Sequence, residues 1–154
     1  MNKAFTKEDD DGPSDLLPDR EIPPHANLVT ADGLAQIERM QTELAERLSA
    51  AQDADDRDAA AHIARDMRYW NARRSTAQLM PPPDGAREVK FGSRVTIVRD
   101  DGRRQTFRIV GQDEADPEQG TLSYVSPMAQ ALMGRALGDT VAVAGGEAEI
   151  VAIA

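Results

Sequence analysis

"ERLSAAQDADDRDAAAHIARDM", residues 46–67, is where two apolar stripes meet at an acidic turn. Four aspartates, Asp53, Asp55, Asp56 and Asp58, crowd around Arg57 within seven residues. Like charges at that density repel each other and favour a solvated turn. Before the turn, Leu34, Ile37, Met40, Leu44, Leu48 and Ala51 recur at spacings of three and four, which is one face of a helix. Thr30 or Asp32 can cap that helix by accepting from its first backbone N–H groups. After the turn, Ala60, Ile63, Met67 and Trp70 form a second stripe, with Ala77 further on. Pro81, Pro82 and Pro83 end it, since proline lacks the N–H a helix needs and restricts the residue before it. Two amphipathic helices joined by a short turn bury their stripes by running antiparallel. Helices of roughly 20 residues make a hairpin about 30 Å long, with the aspartates at its far end. Asp55, Asp56 or Asp58 can also cap the second helix, which accounts for one or two of the four.

Beyond the prolines the apolar period changes to two. Short β-type runs stand at 89–91, 94–98, 106–110, 122–125, 141–143 and 149–153. Asp101-Gly102 and Gly145-Gly146 are hairpin turn signals between such runs. One helix interrupts them, with Ser126 as N-cap and Pro127 in the first helical position. Ala129, Ala131, Leu132 and Met133 continue it, and Gly134 or Gly138 ends the region. The expected fold class is α+β: an N-terminal antiparallel coiled-coil hairpin, then a small antiparallel sheet domain with one helix.

Composition narrows the function. A chain of 154 residues holds one ordinary domain or two small ones. It contains no cysteine, so disulfides and thiolate metal sites are excluded; this fits a reducing, cytoplasmic setting. No apolar run approaches the ~20 residues needed to span a bilayer, and MNKAFTKEDDDG has no apolar core for a secretory signal. The net charge is −9, with −4 over residues 1–28, −2 over 29–83 and −3 over 84–154. A protein that gripped nucleic acid through its phosphates would carry a basic excess. Residues 1–28 hold Pro13, Pro18, Pro23 and Pro24, an acidic run at 8–11 and few large apolar side chains, the composition of a disordered acidic tail. The expected domains are therefore the tail at 1–28, the hairpin at 29–83 and the sheet domain at 84–154.

Two longer stretches carry a resemblance. FGSRVTIVRDDG (91–102) and FRIVGQDEADPEQGTLSYVSPMAQALMGRALGDTVAV (107–143) are similar to the Gre-type transcript cleavage factors of bacterial RNA polymerase. The shared elements are an FG-x-x-V strand, an RIVG-x-DEAD strand and loop, an SP-x-A-x-AL-x-G helix and a GD-x-V strand, in that order. LVTADGL resembles the start of the family's first helix and RRSTAQLM the end of its second. The resemblance implies an FKBP-like C-terminal domain that docks on the rim of the polymerase secondary channel. It also implies a hairpin that enters the channel and presents tip carboxylates to the catalytic magnesium.

On that reading Ser126, Pro127 and Met128, with Asp113 and Glu114, are polymerase-binding candidates, and Asp53, Asp55, Asp56 and Asp58 are the tip carboxylates. Magnesium is a hard cation that takes one or two protein carboxylates, so any Mg2+ would be held jointly with the polymerase. The chain has no cofactor of its own, no metal site and no small-molecule substrate. It is not an enzyme alone, and it meets nucleic acid or DNA only within the elongation complex. The family's tip motif is D-x-x-E; here Asp53-x-x-Asp56 and Asp55-x-x-Asp58 stand nearest. The hairpin is also shorter, so the resemblance is to a short-armed member. The alternative is a polymerase-binding regulator without cleavage activity, resembling the regulator of nucleoside diphosphate kinase.

Several of these residues also have plainer readings. Asp113, Glu114 and Asp116 can be simple loop solvation. Arg65, Arg68, Arg73 and Arg74 can pair with acids of the first helix or form a weak phosphate track. Tyr69 and Trp70 fit hairpin packing. His25 and His62 lack a second ligand at metal spacing. A prolyl isomerase would need an aromatic pocket, and Phe5, Phe91, Phe107 and Tyr124 are scattered.

Overall fold

The computed structural model describes residues 17–85 and 87–154. The chain divides into two compact units, and the division falls inside the first helix. Residues 37–75 form one unit together with residues 17–24, and residues 25–36 join 76–154 in the other.

Helix α1 (Ala31–Asp53) and helix α2 (Arg57–Thr76), whose residues 37–53 and 57–75 make up most of the first unit, form the expected hairpin. Ile37, Leu44 and Ala51 are buried at intervals of seven, and Ile63 and Trp70 repeat the interval on α2. That is the spacing of a two-helix seam. The direction is antiparallel: Gln41 Nε2 donates to Asn71 Oδ1 at 2.9 Å, and three residues earlier on α1 Glu38 meets Arg74, three residues later on α2, at 3.7 Å. Tyr69 and Trp70 are buried and pack edge to face, their centroids 5.3 Å apart. Arg73 is also buried, at 1% exposure, with its guanidinium 6.0 Å from the Tyr69 ring.

Order begins earlier than composition implied. Residues 1–16 of the expected tail lie outside the described residues, but residues 17–24 pack along the hairpin, Asn27 is buried, and Leu28–Val29 is a strand. Composition missed this because Arg20, counted as a charge, works as a flat cation: its guanidinium stacks 3.9 Å over the Tyr69 ring.

In the second unit, strand β1 (Leu28–Val29) pairs in parallel with β2 (Gln78–Leu79), tying the entry of α1 to the exit of α2. The main sheet comprises β3 (Arg94–Arg99), β4 (Arg104–Val110), β5 (Thr121–Ser123), β6 (Thr140–Val143) and β7 (Gly146–Ile153), in the order β5-β4-β3-β7-β6. Helix α3 (Pro127–Leu132) contributes Ala129 and Leu132 to a core with Val95, Ile97, Ile109 and Ile150, all fully buried. Alternation does the sorting: Val95 and Ile97 face in, while Arg94 is exposed between the same ladders. Burial of each such side chain stabilises the unit by roughly 1.5–3 kcal/mol.

Two expectations change. The sheet is mixed, because β4 and β5 run parallel, with Val110 opposite Ser123; the loop and 3-10 turn between them (Pro117–Gln119) supply the crossover that parallel neighbours need. The run 89–91 is not a strand. Val89 exchanges both backbone bonds with the stretch after α3, its N–H donating to Arg135 O and its carbonyl accepting from Gly134 N, each at 2.8 Å.

Candidate functional site

The hairpin tip is built by backbone bonds. Asp56 N donates to Ala51 O at 2.9 Å and Asp55 N to Gln52 O at 3.0 Å, which closes α1 with a Schellman motif. The motif needs a left-handed residue, and Asp55 takes that place with φ 55°, a role aspartate tolerates through its short polar side chain. One residue on, Asp56 caps α2: its Oδ1 accepts from Ala59 N at 3.1 Å. Asp58 lies in the first turn of α2, where an anion suits the helix dipole. Asp53 ends α1, where the dipole disfavours it. All four aspartates are exposed. Among the described residues no group of three or more His, Asp or Glu side chains is placed to hold a metal ion. The tip thus offers separate carboxylates, one of them already used as a cap.

At the other end of α1 a carboxylate has an opposite fate. Thr30 is the N-cap, its Oγ accepting from Gly33 N at 3.0 Å. Glu114, from the loop after β4, accepts from Thr30 N at 3.1 Å, from Thr30 Oγ, and from Gly111 N at 3.1 Å. Three donors on one half-buried carboxylate replace the reading of Glu114 as an open loop charge. Two glycines make room for it. A Cβ on Gly33 would lie 2.1 Å from Glu114 Oε2, and one on Gly111 would lie 2.6 Å from Leu28 O and 3.0 Å from the same Oε2. ADG at 31–33 and IVGQDE at 109–114 are thus two halves of one device, with Gly33 and Gly111 the members that sequence reasoning missed. Asp116 is also used locally, capping the 3-10 turn by accepting from Glu118 N at 3.1 Å.

The remaining candidates lie at one end of the sheet. β4 and β5 are parallel, so the loops that follow them, carrying Asp113 and Ser126, leave at the same end. Ser126 caps α3 as expected, accepting from Ala129 N at 3.2 Å, and Gln130 Nε2 ties back to Tyr124 O at 2.7 Å. Pro127 is exposed in the first helical position, and Met128 is half-buried. The corner is thus tied by two side-chain bonds, with the proline on its outside.

The other readings sort readily. Arg68 pairs with Asp19, Arg74 with Glu38, Arg73 is buried and Arg65 is half-buried, so the four arginines form no open track. Phe91 and Tyr124 are buried against each other, 5.5 Å apart, within the core. The cavity that Phe91 lines is about 80 Å³, well below the roughly 300 Å³ or more of small-molecule sites. No described helix is long and apolar enough to cross a membrane.

The chain is thus a helical hairpin and a mixed sheet domain that carries the capped Ser126-Pro127 helix. The family described as "Transcription elongation factor, GreA/GreB, C-term" matches residues 84–154. The transcription elongation factor GreB of Neisseria meningitidis is 40% identical over 81 residues, 51% of this chain and 50% of that protein. GreA of Alkalilimnicola ehrlichii is 45% identical over 80 residues, 49% of this chain and 51% of that protein. The chain thus spans about half the length of the curated relatives it matches. The crystal structure of GreA factor homolog 1 of Thermus thermophilus aligns over 84% of this chain with 24% identity and a TM-score of 0.40, a superposition too loose to bear on function. Residues 84–154 are thus similar to the C-terminal domain of the GreA/GreB elongation factors.

Proposed function

We propose that the protein is a transcription elongation regulator that binds bacterial RNA polymerase at the secondary channel and acts on paused or backtracked complexes. The observation that carries this reading is the family match over 84–154, a stretch that includes the intact Ser126-Pro127 helix start. In this reading the sheet domain docks through Ser126, Pro127 and Met128, with Asp113 beside them. The hairpin then presents its tip to the polymerase interior. DNA and RNA are met only as part of that complex, in keeping with the net charge of −9.

Of the two modes, binding without strong cleavage stimulation is the better supported. The tip carboxylates do not converge, and Asp56 is engaged as a cap. Asp53, Asp55 and Asp58 remain as single exposed ligands that could be lent to a polymerase-held Mg2+, which takes one or two protein carboxylates. Any hydrolysis would be the polymerase's own.

The test uses a polymerase stalled in a backtracked complex, with and without the protein, in the presence of Mg2+. We expect binding, which Pro127→Ala should weaken more than any single tip substitution, and little RNA shortening. Replacing Asp53, Asp55, Asp56 and Asp58 together by Asn keeps the cap oxygens and should leave binding intact while reducing any effect on the complex. Absence of binding would defeat the proposal; robust Mg2+-dependent RNA shortening would select the cleavage-factor mode.

A further inference from the structure

One face of the main sheet carries the core and the other meets solvent. On the solvent face of β3 and β4, register sets Arg94 opposite Arg108, Thr96 opposite Thr106 and Val98 opposite Arg104. Side chains two residues apart share a face, so the three arginines stand on one surface with two threonines between them. The arginine pair is of the close kind. Arg94 exchanges both backbone bonds with Ala154, at 2.7 and 2.8 Å, and Arg108 N donates to Gly120 O at 2.9 Å. Neither arginine therefore bonds the other's backbone, and such partners have Cα atoms about 4.5 Å apart. Like charges directly opposite destabilise a sheet, and little in the molecule offsets this pair. Arg108 reaches the 90% exposed Asp32 only at 3.9 Å, and among the described residues Arg94 and Arg104 have no side-chain partner. The Thr96 and Thr106 hydroxyls sit 2.9 Å apart in the next cross-strand pair. Guanidinium forks and hydroxyls are groups that bind phosphate oxygens, and an oxyanion held between Arg94 and Arg108 would relieve their repulsion.

We propose that this face of β3 and β4 binds the phosphate backbone of nucleic acid. Charge complementarity selects an anion, and the rest of the face selects which one. A protein segment needs an apolar or aromatic centre to its interface, and here only the half-buried Val98 is apolar. Phe107 belongs to the other face, packed against the core. Interfaces with nucleic acid are more polar and more positive, and most of their bonds go to phosphate and sugar. With no aromatic ring for a base to stack on, the face meets backbone and not sequence. Arg104 and Arg108 stand about 13 Å apart along β4, so they meet different phosphates of one strand, where the axial step is about 3.4 Å. On β7, the other neighbour of β3, Glu147 and Glu149 are exposed on the same face and confine the track to β3 and β4. Three cations in a chain of net charge −9 give a weak attachment, one that adds to a complex already held by other contacts. That setting rests on the polymerase reading; the binding itself does not.

The test titrates the isotope-labelled full-length protein at low salt with a short DNA duplex and follows the backbone amides by NMR. Those of Arg94, Thr96, Arg104, Thr106 and Arg108 should move together. Affinity should fall with salt along a log–log slope of about −2 to −3, at about 0.9 for each phosphate neutralised. Arg94→Gln with Arg104→Gln should weaken binding about tenfold or more and lower the slope by about two. Both positions are exposed, and the urea midpoint of that variant should be unchanged or higher, because a like-charge contact is lost. The same change of net charge on exposed positions of α1, Arg39→Gln with Arg47→Gln, should leave binding nearly as it was. An equal loss there would overturn the proposal, since bulk charge would then be the cause. Shifts confined to the hairpin, or a slope unaltered in the Arg94 and Arg104 variant, would do the same. Poly-glutamate is the second probe. If it moved the same five amides as strongly as the duplex does, an acidic protein would replace nucleic acid as the partner and the proposal would fall. No binding of polymerase would defeat the earlier reading and leave these measurements intact; no binding of the duplex by the parent protein defeats this proposal alone.

Discussion

Helix α1 ends in carboxylates on both sides, and they do opposite things. At its start, Glu114 is half-buried and saturated by Thr30 and Gly111; at its end, four aspartates are exposed, and the Asp56 carboxylate caps the next helix. The residue type is nearly the same. What differs is the supply of donors: the helix start offers unpaired N–H groups and two glycines clear the space, whereas the helix end offers only carbonyls. An acidic motif is structural where backbone donors converge on it and available to a partner where they do not.

The strongest way to break this contrast is to close the space at the start of α1. Gly111→Ala places a Cβ 2.6 Å from the Leu28 carbonyl, a backbone atom that cannot rotate away, and 3.0 Å from Glu114 Oε2. We expect a loss of about 2–3 kcal/mol in urea unfolding, within the range for overpacking. A midpoint equal to that of the parent would show that the latch tolerates displacement.

Next in size is Glu114→Gln, which keeps the shape but puts an NH2 group in front of backbone donors. The expected loss is about 1–2 kcal/mol, the cost of a mismatched buried hydrogen bond. Hydrogen exchange at Thr30 and Gly111 should quicken, and unchanged exchange there would assign the latch to packing alone.

At the tip the effects should be smaller. Asp56→Ala removes a cap and should cost about 1 kcal/mol, while Asp56→Asn should be close to neutral. Equal losses for both would mean that charge, and not the cap oxygen, holds the turn.

The same contrast explains what was legible from sequence. The hairpin and its turn could be read because a helix stripe and a proline stop are local patterns, as were the caps at Thr30 and Ser126. The Glu114 latch could not, since its donors lie 84 and 3 residues away along the chain and no periodicity links them. The parallel pairing of β5 was hidden for the same reason: a three-residue strand carries no mark of direction. The packing of residues 17–24 was hidden by composition, because Arg20 and Asp19 read as solvated charge until Tyr69 and Arg68 stand opposite them.

The last prediction separates exposure from engagement, which the two ends of α1 change together. Asp101, in the β3–β4 turn, is exposed, yet its Oδ1 accepts from Arg103 N at 3.0 Å and its Oδ2 from Arg103 Nε at 2.7 Å. The backbone N–H of Arg103, aided by its guanidinium, holds the Asp101 carboxyl below the ordinary carboxylate value. A depressed pKa means that the contribution is present above the unfolded value and lost as pH falls through the folded one. A carboxyl-carbon NMR titration should therefore place Asp101 below the ordinary aspartate value. Arg103→Ala should move it only part of the way back, because the backbone donor remains. Because the group is exposed, Asp101→Asn should leave the unfolding midpoint almost unchanged. A complete return in the alanine variant would make the guanidinium, and not the backbone, the cause, and engagement in water would then need a charged partner.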